Sequence, residues 1–229
     1  MKDFSLLEKK LNLTFKNKDF LIQAFVHRSY LNENPDFYLP HNERLEFLGD
    51  AVLELVVTEY LYQNYQNPEG ELTNWRAALV NGGSLAEVAE EFGLYDYLYL
   101  SRGEAKDANP KARNYILANA TEALIGAIYL DMGWQTAKEF ITEHLLVKLP
   151  HILKNKLYLD AKSHFQELAQ EKVGITPSYR VLSESGPDHA KDFVIGVYLD
   201  DELVAEGNGT SKQEAQMDAA RRALEEKDW

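Results

Sequence analysis

The sequence predicts an all-α domain followed by a smaller α+β domain. Through residue 150 the apolar residues recur at helical spacing. From Asp160 the pattern changes to a helix, three alternating strand-like segments and a second helix, in the order α-β-β-β-α. The stretch 151–159 has no clear period and is the predicted linker. We therefore expect two domains, at 1–150 and 160–229.

Helix boundaries in the first domain follow from capping residues, prolines and glycines. Side chains such as Asn and Thr favour helix starts, and Gly favours helix ends. The resulting predicted helices are two segments within 4–25, with Asn17 capping the second; one that begins at Leu72-Thr73, with Thr73 as its cap; 84–92, ending at Gly93; 116–130; and 133–149, ended by Pro150.

Composition narrows the classes of function. The chain has 229 residues, enough to bury a core, and no cysteine, which excludes disulfides, thiolate zinc sites and a cysteine nucleophile. Charges interrupt residues 1–15, which leaves no apolar segment for a signal peptide. The longest apolar run, 124–130, is far too short to span a membrane. We expect a cytoplasmic protein without a membrane partner.

The net charge of −13 argues against a nucleic-acid-binding protein, because affinity for phosphate comes mainly from Lys and Arg. Any RNA contact must come from local basic clusters and from metal ions that offset the acids. Lys106, Lys111 and Arg113 form one such cluster. A cluster of this size is usually only solvated surface, and a phosphate contact is the alternative.

The stretch 41–55 is predicted to be a helix that begins near Asn42. Helical spacing places Glu43, Glu46 and Asp50 along one stripe. A row of acids beside an apolar row is usually only a solvated face. The apolar residues expected to be buried are Leu45, Leu48, Val52 and Leu55.

Gly49 distinguishes this helix from an ordinary surface helix. Gly inside a helix costs about 1 kcal/mol relative to Ala, so we expect another part of the chain to approach the backbone closely here. Three acids on one face repel one another unless a hard cation lies between them, and oxygen ligands suit Mg²⁺ better than Zn²⁺. The stripe therefore indicates part of a divalent-metal site.

The apolar helix 116–130 supplies candidates for the rest of that site. Asn119 and Glu122 stand at i and i+3 and therefore point the same way. A Glu in an apolar helix needs a partner if it is buried. A metal ion shared with Glu46 and Asp50 would be such a partner.

The segment NERLEFLGDAVL, at 42–53, resembles the signature stretch of the ribonuclease III family. The resemblance implies a homodimeric endoribonuclease that depends on Mg²⁺, with Mn²⁺ as a substitute, and acts in rRNA and mRNA processing. It would cleave double-stranded RNA to 5′-phosphate and 3′-hydroxyl ends. The implied site residues are the metal ligands Glu46, Asp50, Asn119 and Glu122, of which Asp50 and Glu122 are catalytic; the secondary acids Glu43 and Glu69; and Phe47, which would enter a pocket of a second subunit.

Asn119 departs from the family, in which most members carry Asp at the matching position. An amide oxygen can bind Mg²⁺, but it is neutral and cannot act as a base. We therefore expect a weaker metal site, with activity that is reduced or more dependent on metal concentration. A catalytically weak protein that binds double-stranded RNA on the same scaffold is the alternative.

The order α-β-β-β-α resembles the double-stranded RNA-binding domain, which recognises the shape of a duplex. The resemblance implies that Gln166 and Glu167 contact one minor groove and His189 the other, while Lys212 binds phosphate at a helix N-terminus. From Asp160 onward the chain has 15 acidic and 8 basic residues. We therefore expect weak, salt-sensitive RNA binding, and a protein-interaction module of the same fold is the alternative.

Overall fold

The computed structural model describes residues 2–187 and 191–229, which divide into two compact units. The first unit runs through Tyr158 and is helical, and the second begins at Leu159 and combines two helices with a three-stranded sheet. The predicted fold class, an all-α domain followed by a small α+β domain, is confirmed. In the described ranges, no helix combines the length and the apolar character that crossing a bilayer would require.

The first unit is a set of helices around one apolar core. Its two longest helices pack against each other, and shorter helices surround them. In chain order the helices are α1 (Ser5–Leu11), α2 (Lys18–Ala24), α3 (Arg28–Glu33), α4 (Glu43–Asn64), α5 (Glu69–Leu79), α6 (Gly82–Phe92), α7 (Pro110–Met132), α8 (Trp134–His144) and α9 (Leu149–Lys154).

Helix α7 is buried along most of its length because α2, α4, α6 and α8 pack around it. Its polar residues therefore need partners inside the core. Thr121, which is fully buried, shares its hydroxyl proton between the carbonyl oxygens of Leu85 and Leu117, at 3.1 and 3.0 Å. Glu122 is half-buried on the side of α7 that meets α4.

Helix α4 begins at Glu43, close to the predicted start. The buried Asn42 holds this end in place: its side-chain amide donates to the carbonyl oxygen of Ala24 at 3.1 Å, and its backbone N–H donates to Val26 at 2.8 Å. The segment before α3 is fixed in the same way, since the backbone N–H of His27 donates to the carbonyl oxygen of Tyr99 at 3.1 Å. Residues before α4 thus anchor its acidic first turn to the core.

The predicted burial of Leu55 is wrong, although Leu45 and Val52 on the same stripe are buried. Leu55 is 57% exposed. Each helical residue turns by roughly 100°, so Leu55 is rotated about 80° away from Leu45 and leaves the core-facing stripe.

The predicted start of α5 is also wrong, because the helix begins at Glu69 rather than at Leu72-Thr73. The carbonyl oxygen of Pro68 accepts the backbone N–H of Leu72 at 3.2 Å, so the chain is already helical before Thr73. The hydroxyl of Thr73 donates instead to the carboxylate of Glu69, at 3.1 Å. The predicted cap at Asn17 and the predicted stop at Gly93 are confirmed.

The predicted linker 151–159 is helical in its first part. Pro150 lies in the first turn of α9, where the missing N–H of proline would have no helical partner, and the helix continues to Lys154. Ile152 is buried in the core of the first unit. That part of the predicted linker therefore belongs to the first unit.

The second unit packs two helices on one face of an antiparallel sheet with strand order β1-β2-β3. Phe165, Val197 and three alanines of the last helix form its core. A methyl group on Gly207 would collide with the backbone of that helix, so this glycine allows close packing on the last strand. In chain order the elements are α10 (Ala161–Val173), β1 (Ser178–Ser185), β2 (Asp192–Leu199), β3 (Glu202–Gly209) and α11 (Lys212–Glu226).

Candidate functional site

The backbones of α4 and α7 meet at two glycines. A methyl group on Gly49 would collide with the carbonyl oxygen of Glu122 and would lie 2.9 Å from the backbone nitrogen of Gly126. The predicted close approach at Gly49 is therefore confirmed, and its partner is α7. Sequence reasoning missed Gly126, although a glycine inside an apolar helix was available as a signal.

The carboxylates of Glu46 and Asp50 on α4 act on Glu122 of α7 across this crossing. Burial, with smaller contributions from the charges of Asp50 and Glu46, raises the pKa of Glu122 to about 7. Burial also raises the pKa of Glu46, with smaller contributions from Glu43 and Asp50. Glu46 and Glu122 are half-buried, and Asp50 is exposed. The two helices thus bring predicted ligands from distant parts of the sequence into one electrostatic group.

The donor set fits a hard divalent cation, because it consists of carboxylate oxygens and one amide oxygen. In the described ranges, Glu122 has neither a hydrogen bond nor an ion pair that would compensate its burial. In the same ranges, no three His, Asp or Glu side chains are grouped tightly enough to hold an ion between them. Like charges repel, so these carboxylates are expected to draw together only when a cation neutralises them.

Asn119 lies on α7 less than one turn before Glu122 and is half-buried on the same side. Its amide is thus placed beside the carboxylate group, although no polar contact in the described ranges fixes its orientation.

The secondary acid Glu43 lies beside the main carboxylates. It forms ion pairs with Arg28, at 3.5 Å, and with the ring of His41, at 3.7 Å when that ring is protonated. The ring nitrogen of His27 lies 2.7 Å from the hydroxyl oxygen of Ser29 and holds the start of α3. The segment before α4 therefore supports the first turn of the acidic helix.

Glu69 does not join this group within one chain. It lines a cavity of about 840 Å³ between α4 and α5, together with Leu61, Tyr62 and Arg76. Leu61 lies about 22 Å along α4 from Glu46, at about 1.5 Å per residue. The structure therefore separates this secondary acid from the main carboxylates.

Two further residues of the first unit, Phe47 and Arg76, have clear surroundings. Phe47 points away from the core, and its side chain is 80% exposed. Arg76 forms an ion pair with Glu54 at 3.4 Å and donates to the hydroxyl of Thr58 at 2.9 Å. Arg76 thus fixes α5 to α4 through side-chain contacts.

In the second unit, Gln166 and Glu167 are exposed on α10 and line a shallow cavity. Lys212 is the first residue of α11, and its ammonium group lies 5.7 Å from the centre of the Phe193 ring. The side chain of Ser211 caps this helix by accepting the backbone N–H of Glu214 at 3.2 Å. His189 lies outside the described residues.

Comparisons with known proteins match both units. A family described as Ribonuclease-III-like matches residues 17–149, and the double-stranded RNA binding motif matches residues 161–227. Ribonuclease 3 of Sulfurovum sp. (strain NBC37-1) is 45% identical over 226 residues, which covers 98% of each chain. The chain belongs to the ribonuclease III family.

Other relatives agree with this assignment. Ribonuclease 3 of Carboxydothermus hydrogenoformans is 45% identical and covers 96% of this chain and 93% of its own. A solved nuclease domain of ribonuclease III from Campylobacter jejuni is 40% identical, with a TM-score of 0.57, and covers 65% of this chain and 99% of its own. That structure is described as flexible in a region involved in dimer formation. The first unit is thus a ribonuclease III nuclease domain, and the second is a double-stranded RNA-binding domain.

The raised pKa of Glu122 predicts how pH affects the stability of this ribonuclease III in a chelating buffer. The pKa is near 4.5 in the unfolded chain and about 7 in the folded one, so the folded state binds more protons between these values. The contribution of Glu122 to stability is fully present below pH 4.5 and is lost as pH rises through 7. We expect the melting temperature to fall over this range by a few degrees less in Glu122→Gln than in the wild type.

Thermal unfolding in EDTA at several pH values measures this difference. Glu90→Gln, an exposed change on α6, is the matched control and should follow the wild type. Identical pH profiles for Glu122→Gln and the wild type would contradict the prediction.

Proposed function

We propose that this ribonuclease III is a metal-dependent homodimer that hydrolyses double-stranded RNA to 5′-phosphate and 3′-hydroxyl ends. One observation carries the proposal: α4 and α7 bring Glu46 and Asp50 close enough to Glu122 for their charges to raise its pKa. Near-full-length similarity to proteins named Ribonuclease 3 supports it. These relatives do not favour the alternative of a catalytically weak RNA-binding protein.

Glu46, Asp50, Asn119 and Glu122 are the residues that would hold the metal ion, proposed to be Mg²⁺ with Mn²⁺ as a substitute. A bound divalent ion lowers the pKa of water and stabilises negative charge that develops on phosphate oxygens. Asp50 and Glu122 are the proposed catalytic pair. Asp50 is the exposed member. Burial raises the pKa of the half-buried Glu122 to about 7, and a neighbouring cation would favour its ionised form.

Basic residues near the start of α7 are proposed to contact the RNA backbone. Lys106 and Arg113 are exposed on the segment that leads into α7 and on its first turn. The guanidinium group of Arg113 lies 4.2 Å from the centre of the Tyr95 ring, a cation–π contact that orients its side chain. An oriented arginine loses less conformational freedom when it binds a phosphate.

The separation between Glu46 and Glu69 supports the proposed homodimer. If Phe47 of one copy entered the cavity between α4 and α5 of a second copy, the acids on α4 of the first copy would approach Glu69 of the partner subunit. Each site would then contain acids from two chains, and the two sites would face opposite strands of one duplex. Glu43 and Glu69 are the proposed outer acids of this composite site.

The second unit is proposed to hold the duplex through Gln166, Glu167, His189 and Lys212. Lys212 is the only lysine or arginine among these four residues, and the unit is acidic overall, so binding should be weak and strongly dependent on salt. Action on rRNA and mRNA precursors in the cytoplasm, expected from the family resemblance and the sequence, stays a prediction.

Replacing Glu122 separates an enzyme from an RNA-binding protein. Glu122→Gln removes a charge that the metal site needs, so we expect cleavage of a long RNA duplex in Mg²⁺ to fall on the order of a hundredfold or more while duplex binding persists. Denaturing gels measure cleavage, and native gels measure binding. Glu90→Gln should cleave normally. Wild-type protein that shifts the duplex and leaves it intact, in Mn²⁺ as well as Mg²⁺, would support the RNA-binding protein instead.

Restoring a carboxylate at position 119 tests the amide ligand. Asn119→Asp adds negative charge to the proposed ligand set, so half-maximal cleavage should require less Mg²⁺ and the maximal rate should rise. A metal titration of the cleavage rate measures both quantities. Asn114→Asp, an exposed change on the same helix, is the control. If Asn119→Asp leaves the titration unchanged, Asn119 is not a ligand.

Truncating Phe47 tests the dimer. Phe47→Ala removes the exposed ring that would fill the partner's cavity, so the dimer dissociation constant should rise roughly 30-fold or more. Analytical ultracentrifugation measures this constant. Leu6→Ala, which truncates another exposed apolar residue, is the control. A variant that dimerises as tightly as the wild type would show that Phe47 is not the contact.

A further inference from the structure

The crossing of α4 and α7 is a contact between backbones on both sides. A methyl group on Gly126 would collide with the carbonyl oxygen of Leu45 and would lie 3.2 Å from the backbone nitrogen of Gly49. A methyl group on Gly49 would collide with the carbonyl oxygen of Glu122. Backbone atoms inside a helix cannot rotate out of the way. Either addition therefore requires the helices to move apart.

These contacts coincide with the carboxylate group. Gly49 directly precedes Asp50, and Gly126 lies one turn after Glu122. The carbonyl that meets Gly49 belongs to Glu122 itself, and the carbonyl that meets Gly126 belongs to Leu45, the neighbour of Glu46. The contact that fixes the separation of the helices thus lies beside the residues that carry the acids.

Close packing of this kind is not shared by every glycine in the first unit. A methyl group on Gly82 would lie 3.9 Å from the side chain of Ala118 on α7, which is an ordinary van der Waals contact. A methyl group on Gly70 would have no neighbour within 4 Å. The backbone contact at Gly49 and Gly126 therefore marks a local feature of the crossing.

We infer that Gly126 is a positioning residue for the metal centre and acts as a reciprocal pair with Gly49. The pair sets the distance between α4 and α7 at the value that lets Glu46 and Asp50 share an ion with Glu122. The inference rests on the proposed function, because this distance matters chemically only if the two helices hold one ion between them. Gly126 itself contributes no ligand.

Gly126→Ala tests this role without RNA. Alanine is the better helix former, so any loss must come from the separation of the helices rather than from local helix propensity. We expect Mn²⁺ binding, measured by electron paramagnetic resonance or calorimetry, to weaken about tenfold or more. Gly82→Ala, the same substitution where space is available, should bind Mn²⁺ like the wild type.

Combining the two substitutions tests whether the glycines act as a pair. Once one methyl group has moved the helices apart, the second methyl group should fit without moving them further. The loss of Mn²⁺ affinity in Gly49→Ala/Gly126→Ala should therefore be smaller than the product of the two single losses. Losses that multiply would mean independent sites and would overturn the pairing. Gly49→Ala also serves as the single variant if Gly126→Ala does not fold.

A purely structural role for Gly126 predicts a different result. Gly126→Ala would then melt at a lower temperature while its folded form kept the wild-type affinity for Mn²⁺, which would refute the inference. A crystal structure of Gly126→Ala should show α4 and α7 farther apart. Unmoved helices would refute the inference even if the wild type bound no divalent ion. Equal Mn²⁺ binding by the wild type and Glu122→Gln would instead count against the proposed metal site.

Discussion

The close approach of α4 to α7 is the constraint on which the rest of the first unit depends. Gly49 and Gly126 allow this close approach, and each costs about 1 kcal/mol of helix propensity relative to alanine. The apolar core around α7 offsets that cost, because α2, α6 and α8 bury the remaining sides of the helix. Glu46, Asn119 and Glu122 are half-buried at this crossing, and burial is the largest cause of the raised pKa of Glu122.

An acidic chain that acts on an anionic substrate needs its positive charge at specific places. Several arginines of the described residues are already paired with acids, among them Arg76 with Glu54, Arg180 with Asp201, and Arg221 with Asp218 and Glu225. These pairs neutralise charge locally and contribute little to attracting RNA. We propose that this attraction comes from Lys212, from Lys106 and Arg113 near the start of α7, and from cations held among the carboxylates.

Helix α4 links the chemistry of the site to the proposed assembly. Its first turns carry the acids and the exposed Phe47, and its last turns line the cavity that also contains Glu69. One rigid element thus presents the acids at one end and part of the proposed binding cavity at the other. Dimerisation through this helix would complete the site at the same time as it joined the subunits.

The sequence by itself determined the fold class, the start of α4, the acidic stripe and the need for a close backbone approach at Gly49, because these follow from periodicity and local propensity. It did not determine the exposure of Leu55, the helix within the predicted linker, or the role of Gly126 in packing. The sequence predicted that Glu122 would share a metal ion with Glu46 and Asp50. It did not predict that burial and the charges of those two residues raise the pKa of Glu122 to about 7. Only the tertiary structure decided these features, because burial and charge interactions depend on which helices meet and how closely.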